Sequence, residues 1–251
     1  MPLADDQLPD SFDQLPGRAH QNIRTFHPRR VPLSRAQREA LTDHWPAVGF
    51  SVHNPDNGTP PLTAEGHLDT VALYGRAAPL VLEIGSGMGE GVAQMAAADP
   101  DRDYLAVEAH VPGIAGAVQR ITEAGLTNVR IAHGDALALV KAHVPEGSLD
   151  AVHIYFPDPW PKNRHHKRRI VQARHVELLR ARLRPGGTLH CATDWEHYAE
   201  QMLAVVEADP GLTNLHDGYA PRPAHRPVTK FEQRGIDLGH AVRDVIAVRT
   251  G

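Results

Sequence analysis

The stretch LVLEIGSGMGEG, residues 80–91, runs from a short apolar segment into a turn with glycine at 85, 87 and 89, and then into helix-forming sequence. A buried strand, a glycine turn and a helix in that order open a nucleotide-type α/β unit. Glycine tolerates the left-handed turn and lets a ligand come close to the backbone. Glu90 occupies the place where a dinucleotide fingerprint needs glycine, and no Lys-Ser or Lys-Thr follows, so a pyrophosphate turn and a P-loop are both excluded. Glu83, two residues before the first glycine, suits a positively charged ligand without phosphate. S-adenosyl-L-methionine, with its ammonium and sulfonium, has that chemistry.

Outward from this turn the pattern repeats. Apolar runs predict strands at 80–84, 103–107, 128–132, 149–155 and 187–192, with helices at about 90–98, 112–124, 136–143, 166–183 and 195–208. Short apolar strands alternating with helices predict a doubly wound, mostly parallel α/β sheet of Rossmann type with helices on both faces. A last run at 242–248 predicts an edge strand, and the gap at 219–239 is long enough to hold a functional loop or a further element. Upstream, residues 1–20 read as a flexible leader and 21–61 as an N-terminal arm, leaving 62–251 as the main domain. Within the arm, Ser34 caps a helix over 35–44 that Trp45-Pro46 should end.

The ends of the predicted strands carry acids in series: Glu83, Glu108, Asp135, Asp158 and Asp194. Ligands of open α/β sheets bind beyond these carboxyl ends. Glu108 stands 23 residues after Gly85, near the spacing at which an acid reaches ribose hydroxyls. Asp135 can serve an adenine amino group or simply cap a helix. The fourth strand end reads IYFPDPWPKNRHHKRR, residues 154–169. Pro157, Pro159 and Pro161 stiffen the loop around Asp158 and Trp160, which helps hold one atom in line with a methyl donor. Phe156 and Trp160 are candidates for stacking on a base, and the basic run that follows is a candidate for phosphate contacts.

Charge supports that reading once its distribution is seen. The 251 residues carry 26 Lys and Arg against 30 Asp and Glu, a net charge of −4. Residues 160–184 hold nine bases and a single acid, Glu177, and residues 18–38 hold six arginines and no acid. Local clusters of this kind steer polyanions whatever the total. The lone cysteine, Cys191, excludes an internal disulfide and a thiolate zinc cluster. No run is long and apolar enough to span a membrane and the first residues do not read as a secretory signal, so a cytoplasmic setting is expected. His165 and His166 are adjacent, no HExxH spacing occurs, and the 17 histidines are scattered, so no metal site is expected. Ser86 lacks the surroundings of a nucleophile elbow.

Together, ExGxGxG at 83–89, FPDPWPKNRHHKRR at 156–169, TDWEHYAEQML at 193–203 and RPVTKFEQRG at 226–235 resemble the bacterial tRNA (guanine-N7-)-methyltransferase family. The resemblance covers about residues 22–250, and IRTFHPRR at 23–30 is similar to the family's N-terminal arm; Asn163 departs from a more usual basic residue. It implies a seven-stranded class I methyltransferase fold, S-adenosyl-L-methionine as cofactor, tRNA as partner and a monomer or homodimer. It also implies roles. Glu83, Gly85, Gly87, Gly89, Glu108, Asp135 and Asp158 would line the cofactor site, with Asp158 also catalytic. Lys162, Asp194, Thr229, Lys230, Phe231 and Glu232 would contact substrate, with Asp194 and Glu232 reading guanine's N1 and N2 donors. Arg164, His165, His166, Lys167, Arg168 and Arg169 would bind RNA. The DPW element also resembles the Asp-Pro-Pro-aromatic motif of DNA and protein amino-group methyltransferases, which keeps an amino group of another nucleic acid or of a protein open as the acceptor.

Overall fold

The computed structural model describes Thr25, Phe26 and residues 32–251. The predicted leader, most of IRTFHPRR, and Arg18, Arg24, Arg29 and Arg30 lie outside the described residues.

The chain order is α1 (Arg35–Val48), β1 (Gly49–Ser51), α2 (Thr70–Tyr74), β2 (Leu80–Ile84), α3 (Glu90–Ala98), β3 (Asp103–Glu108), α4 (Val111–Glu123), β4 (Val129–His133), α5 (Ala136–His143), β5 (Leu149–Tyr155), α6 (Ala173–Arg182), β6 (Leu183–Thr193), α7 (Glu196–Glu207), β7 (Leu212–Asn214), α8 (Lys230–Asp237) and β8 (Arg243–Arg249). The strands form one sheet in the order β1-β4-β3-β2-β5-β6-β8-β7, parallel throughout except for β8, which is antiparallel to both its neighbours. Alternate residues of β2 face opposite layers. Leu80, Leu82 and Ile84 pack with Leu139, Leu179, Tyr198 and Met202 on one side. Val81 packs with Leu41, Met95, Ile114 and Val118 on the other. Burial on both faces explains the unbroken apolar reading of the central strands. From β2 the chain winds outward through β3 to β4, then crosses back to β5 on the far side of β2, so the switch point lies at β2 and β5.

Four local expectations change. The sheet has eight strands rather than seven, because β1 pairs with β4. Helix α1 has the predicted start, with a capping box between Ser34 and Gln37, but it continues through Pro46. Trp45 and Val48 are buried and the Trp45 indole donates to the Asn57 carbonyl at 3.0 Å, so packing outweighs the backbone bond that proline removes. Strand β8 is internal, since the short β7 takes the edge; three residues are too few for a periodic signal. The helix predicted over 166–183 is a 3₁₀ turn at Asn163–Arg168 followed by α6. Arg169, Ile170 and Val171 are all buried, and three consecutive residues cannot share one helix face. No helix among the described residues is long and apolar enough to cross a membrane.

Candidate active site

The glycine turn is built on backbone geometry. Gly85, Gly87 and Gly89 have φ of 79°, 55° and 75°, the left-handed region that favours glycine. Their tolerances differ. A side chain at Gly89 would strike Ala117 of α4 at 2.6 Å, whereas the space beside Gly85 and Gly87 is open. Gly89 thus serves packing, and Gly85 and Gly87 leave room for a ligand. Glu108, at the end of β3, fixes the turn by accepting amide hydrogen bonds from Gly87, Ala109 and His110, each at 2.8 Å. Burial still raises its carboxyl above the ordinary value, against the pull of these bonds.

Glu83 is the opposite case. It is buried, and its Oε2 has no hydrogen-bond partner among the described residues. Burial, and secondarily the neighbouring Glu108, push its carboxyl up to about 8. It faces a cavity of about 440 Å³ at the switch point, together with Gly85, Ser86 and Gly87. Tyr155 and Phe156 from the end of β5 form another wall, and Thr229, Lys230 and Phe231 at the start of α8 complete it. The Phe156 and Phe231 rings meet edge to face at 5.5 Å, and the Lys230 amide donates to Glu90 Oε2 at 3.0 Å, clasping α8 to the start of α3.

The loop after β5 is constrained. Phe156 and Trp160 have φ of 48° and 45°, and each immediately precedes a proline. Proline disfavours right-handed helical geometry in the residue before it. Left-handed geometry at a bulky residue costs of order 1–3 kcal/mol, so the surroundings must impose it. Trp160 is held on several sides: the Arg168 guanidinium lies 3.8 Å from its ring centre, His165 stacks at 5.9 Å, and its indole donates to the Thr25 carbonyl at 3.2 Å. It therefore packs within the protein, and Phe156 is the aromatic presented to the cavity.

The remaining predicted residues distribute as follows. Asp135 caps α5, accepting from the amides of Leu137 and Ala138. Asp158 is exposed on the loop after β5, with no hydrogen-bond partner among the described residues, and is not part of the cavity wall. Asp194 accepts from His240 at 3.0 Å. Thr229 caps α8 through the Glu232 amide. Lys162, Arg164 and Lys167 are exposed; His165, His166 and Arg168 are half-buried.

Two assignments require correction. Arg169 is fully buried: it donates to the Pro159 carbonyl at 2.8 Å and to Gln201 at 2.7 Å, and lies over the Tyr198 ring at 4.6 Å. It anchors the basic turn and presents no charge to a phosphate. Glu232 is likewise buried, with both oxygens gripped by Arg226 at 2.6 and 2.9 Å, so the pair does not offer guanine a free acceptor.

Arg226 is the cavity-wall residue that the strand ends did not point to. Buried against the cavity, it binds Glu232 on α8 and both oxygens of Asp244 on β8, at 2.7 and 3.0 Å. Asp244 also receives His190 Nε2 at 2.7 Å, and His190 Nδ1 meets the Tyr155 hydroxyl at 2.8 Å. Burial works to raise the Asp244 pKa, but hydrogen bonds from His190 and Arg226 outweigh it and hold the carboxyl below its ordinary value. The signal was present: Arg226 opens the RPVTKFEQRG segment, and a buried arginine demands carboxylates.

A cavity at the switch point, bounded by a glycine turn and an unpaired acid, defines a nucleotide-fold enzyme whose ligand is cationic. The family described as "Putative methyltransferase" matches residues 77–245. A tRNA (guanine-N(7)-)-methyltransferase of Aromatoleum aromaticum is 47% identical over 98% of this chain and 93% of its own. Another, of Paracidovorax citrulli, is 58% identical over 72% of this chain and 73% of its own. Among solved structures, the 16S rRNA methyltransferase KamB shares the fold, with a TM-score of 0.56 at 14% identity over 76% of this chain and 95% of that one. The chain belongs to the tRNA (guanine-N(7)-)-methyltransferase family.

Proposed function

We propose that this protein transfers a methyl group from S-adenosyl-L-methionine to N7 of a guanosine in the variable loop of tRNA. The observation that carries the cofactor is the unpaired, buried Glu83 carboxyl beside the open side of Gly85 and Gly87. An ammonium placed there supplies the missing partner and draws the Glu83 proton off. The bound cofactor supplies an electrophilic methyl group on a sulfonium. Glu108 holds the turn, with one lone pair on Oε2 left over for a ribose hydroxyl.

Guanine N7 carries a lone pair and no proton, so bond formation needs no general base. The protein's task is positioning and electrostatics. The touching Phe156 and Phe231 rings give the cavity an aromatic wall against which a base taken out of its stack can lie. Asp158, on the same stiff loop, supplies negative charge toward a ring that becomes cationic. A few residues further on, the exposed Lys162, Arg164 and Lys167 meet phosphates. A tRNA substrate places the reaction in the cytoplasm.

The test is incubation with unmodified tRNA and methyl-labelled S-adenosyl-L-methionine, followed by nucleoside analysis. Label in 7-methylguanosine is expected. Label on an exocyclic amine would replace this reading with the amino-group one. Binding of tRNA without any binding of the cofactor by calorimetry would reduce the protein to an RNA-binding module.

A further inference from the structure

Behind the Tyr155 wall, three imidazoles from separate elements converge: His153 on β5, His190 on β6 and His225 on the loop before α8. A candidate ligand atom from each lies within 4.8 Å of the other two. The ring centres form a nearly equilateral triangle, with sides of 5.9, 5.9 and 5.6 Å. A zinc–imidazole bond of about 2 Å puts each ring centre about 3 Å from the metal, so three rings on a tetrahedral ion stand roughly 5 Å apart. Contraction of less than about 1 Å reaches that geometry, and the loop position of His225 gives it room to move.

Three further observations favour an ion over simple ring packing. His153 is buried and its Nδ1 has no partner among the described residues, a cost that packing leaves uncompensated. His190 is already arranged as a ligand. Its Nε2 donates to the Asp244 carboxylate, leaving the Nδ1 lone pair to accept from the Tyr155 hydroxyl or to bind a metal. Finally, Asp244 and Glu232 share the single positive charge of Arg226, so the pocket keeps a surplus negative charge beside the imidazoles. His225 is exposed and gives an ion a way in.

We propose that His153, His190 and His225 form a site for one borderline divalent transition-metal ion of the zinc class, fastening the loop before α8 to the sheet. Tyr155 or a water completes the coordination. Imidazole ligands select zinc, cobalt, nickel or copper over magnesium and calcium. The residues lie 37 and 35 positions apart on three elements, so no local spacing announces them.

The test is titration of the untagged full chain with Co²⁺, without cofactor or RNA, followed by visible absorption. One equivalent should produce the intense bands of a four-coordinate ion, abolished by Zn²⁺ and unaffected by Mg²⁺. His225→Ala, at an exposed position, should keep the fold and weaken binding tenfold or more, while His216→Ala should bind as the parent does. His153→Gln, checked for folding by circular dichroism, should lose the bands. Zn²⁺ should raise the Tm of the parent and not of His225→Ala. Absence of the bands in the parent, or equal affinity in His225→Ala, would overturn the proposal. Methyl transfer plays no part in the readout, so either reading can fail alone.

Discussion

The two walls of the crevice are held by opposite means. On the β2–β3 side the main chain does the work: left-handed glycines make the turn, and one carboxylate collects three amides. On the β5–β8 side charged side chains do it: Arg226 joins α8 to β8, and Arg169 pins the basic turn to α7. A wall of amides is intolerant of added atoms, whereas a wall of buried charges is intolerant of removed ones. Under the proposed function, the first would present a fixed surface to an invariant cofactor, and the second would tie together the loops that meet a large, variable partner.

The contrast is tested most severely at Arg226. Arg226→Met preserves volume but leaves Glu232 and Asp244 buried without their cation. Removing one partner of a buried ionic cluster costs about 3–5 kcal/mol, so the urea midpoint should fall accordingly. A loss below about 1 kcal/mol, the range of exposed pairs, would show that the side-chain wall is not held by this cluster.

Glu83 gives the next effect, with a definite sign. Its folded pKa of about 8 lies above the unfolded value, so the folded state favours the proton. Its contribution is fully present below the unfolded pKa and is lost as pH rises through about 8. A shift of this kind corresponds to stability on the order of 2–3 kcal/mol after relaxation. Thermal melts from pH 5 to pH 9 should show that decline, and Glu83→Gln should flatten it. An unchanged profile in the variant would assign the decline to other groups.

Within the amide wall, Gly89→Ala and Gly85→Ala should separate packing from binding. Gly89→Ala adds a clash with Ala117 to backbone strain and should cost about 1–3 kcal/mol. Gly85→Ala meets no neighbour and carries the backbone strain alone, about 1–2 kcal/mol, so it should lose less stability than Gly89→Ala and lose cofactor affinity. Calorimetry with S-adenosyl-L-methionine, together with melts, reads both; equal loss of stability in the two would erase the distinction.

These contrasts also show what could be read from sequence. The strand–glycine–helix unit and the parallel core were legible because each β2 residue is buried and glycine has a unique backbone role. Glu83, Gly85, Gly87 and the Thr229–Phe231 segment do gather at one cavity. What escaped was burial of charge. In KRR at 167–169 the sequence is uniformly basic, yet Lys167 faces solvent and Arg169 faces Gln201 and Tyr198. Glu232 resembles a substrate acceptor until Arg226, six residues earlier, is seen to occupy it. Long-range partners such as Asp244 decide these cases, and periodicity carries no record of them.

The smallest effect belongs to that same basic run. Lys167 is exposed and Arg169 is buried, so the two should differ in kind. Lys167→Ala should leave stability within about 0.5 kcal/mol. It should also reduce the slope of log affinity for tRNA against log salt by about 1, as one phosphate contact is lost. Arg169→Ala should instead lower the melting temperature, because it strips Gln201 and the Pro159 carbonyl of their donor. Binding isotherms across a salt series, paired with melts, measure both quantities. If Arg169→Ala changes the slope without changing stability, the buried arginine swings out to meet RNA. The division between a charge that binds and a charge that builds would then fail at its closest pair.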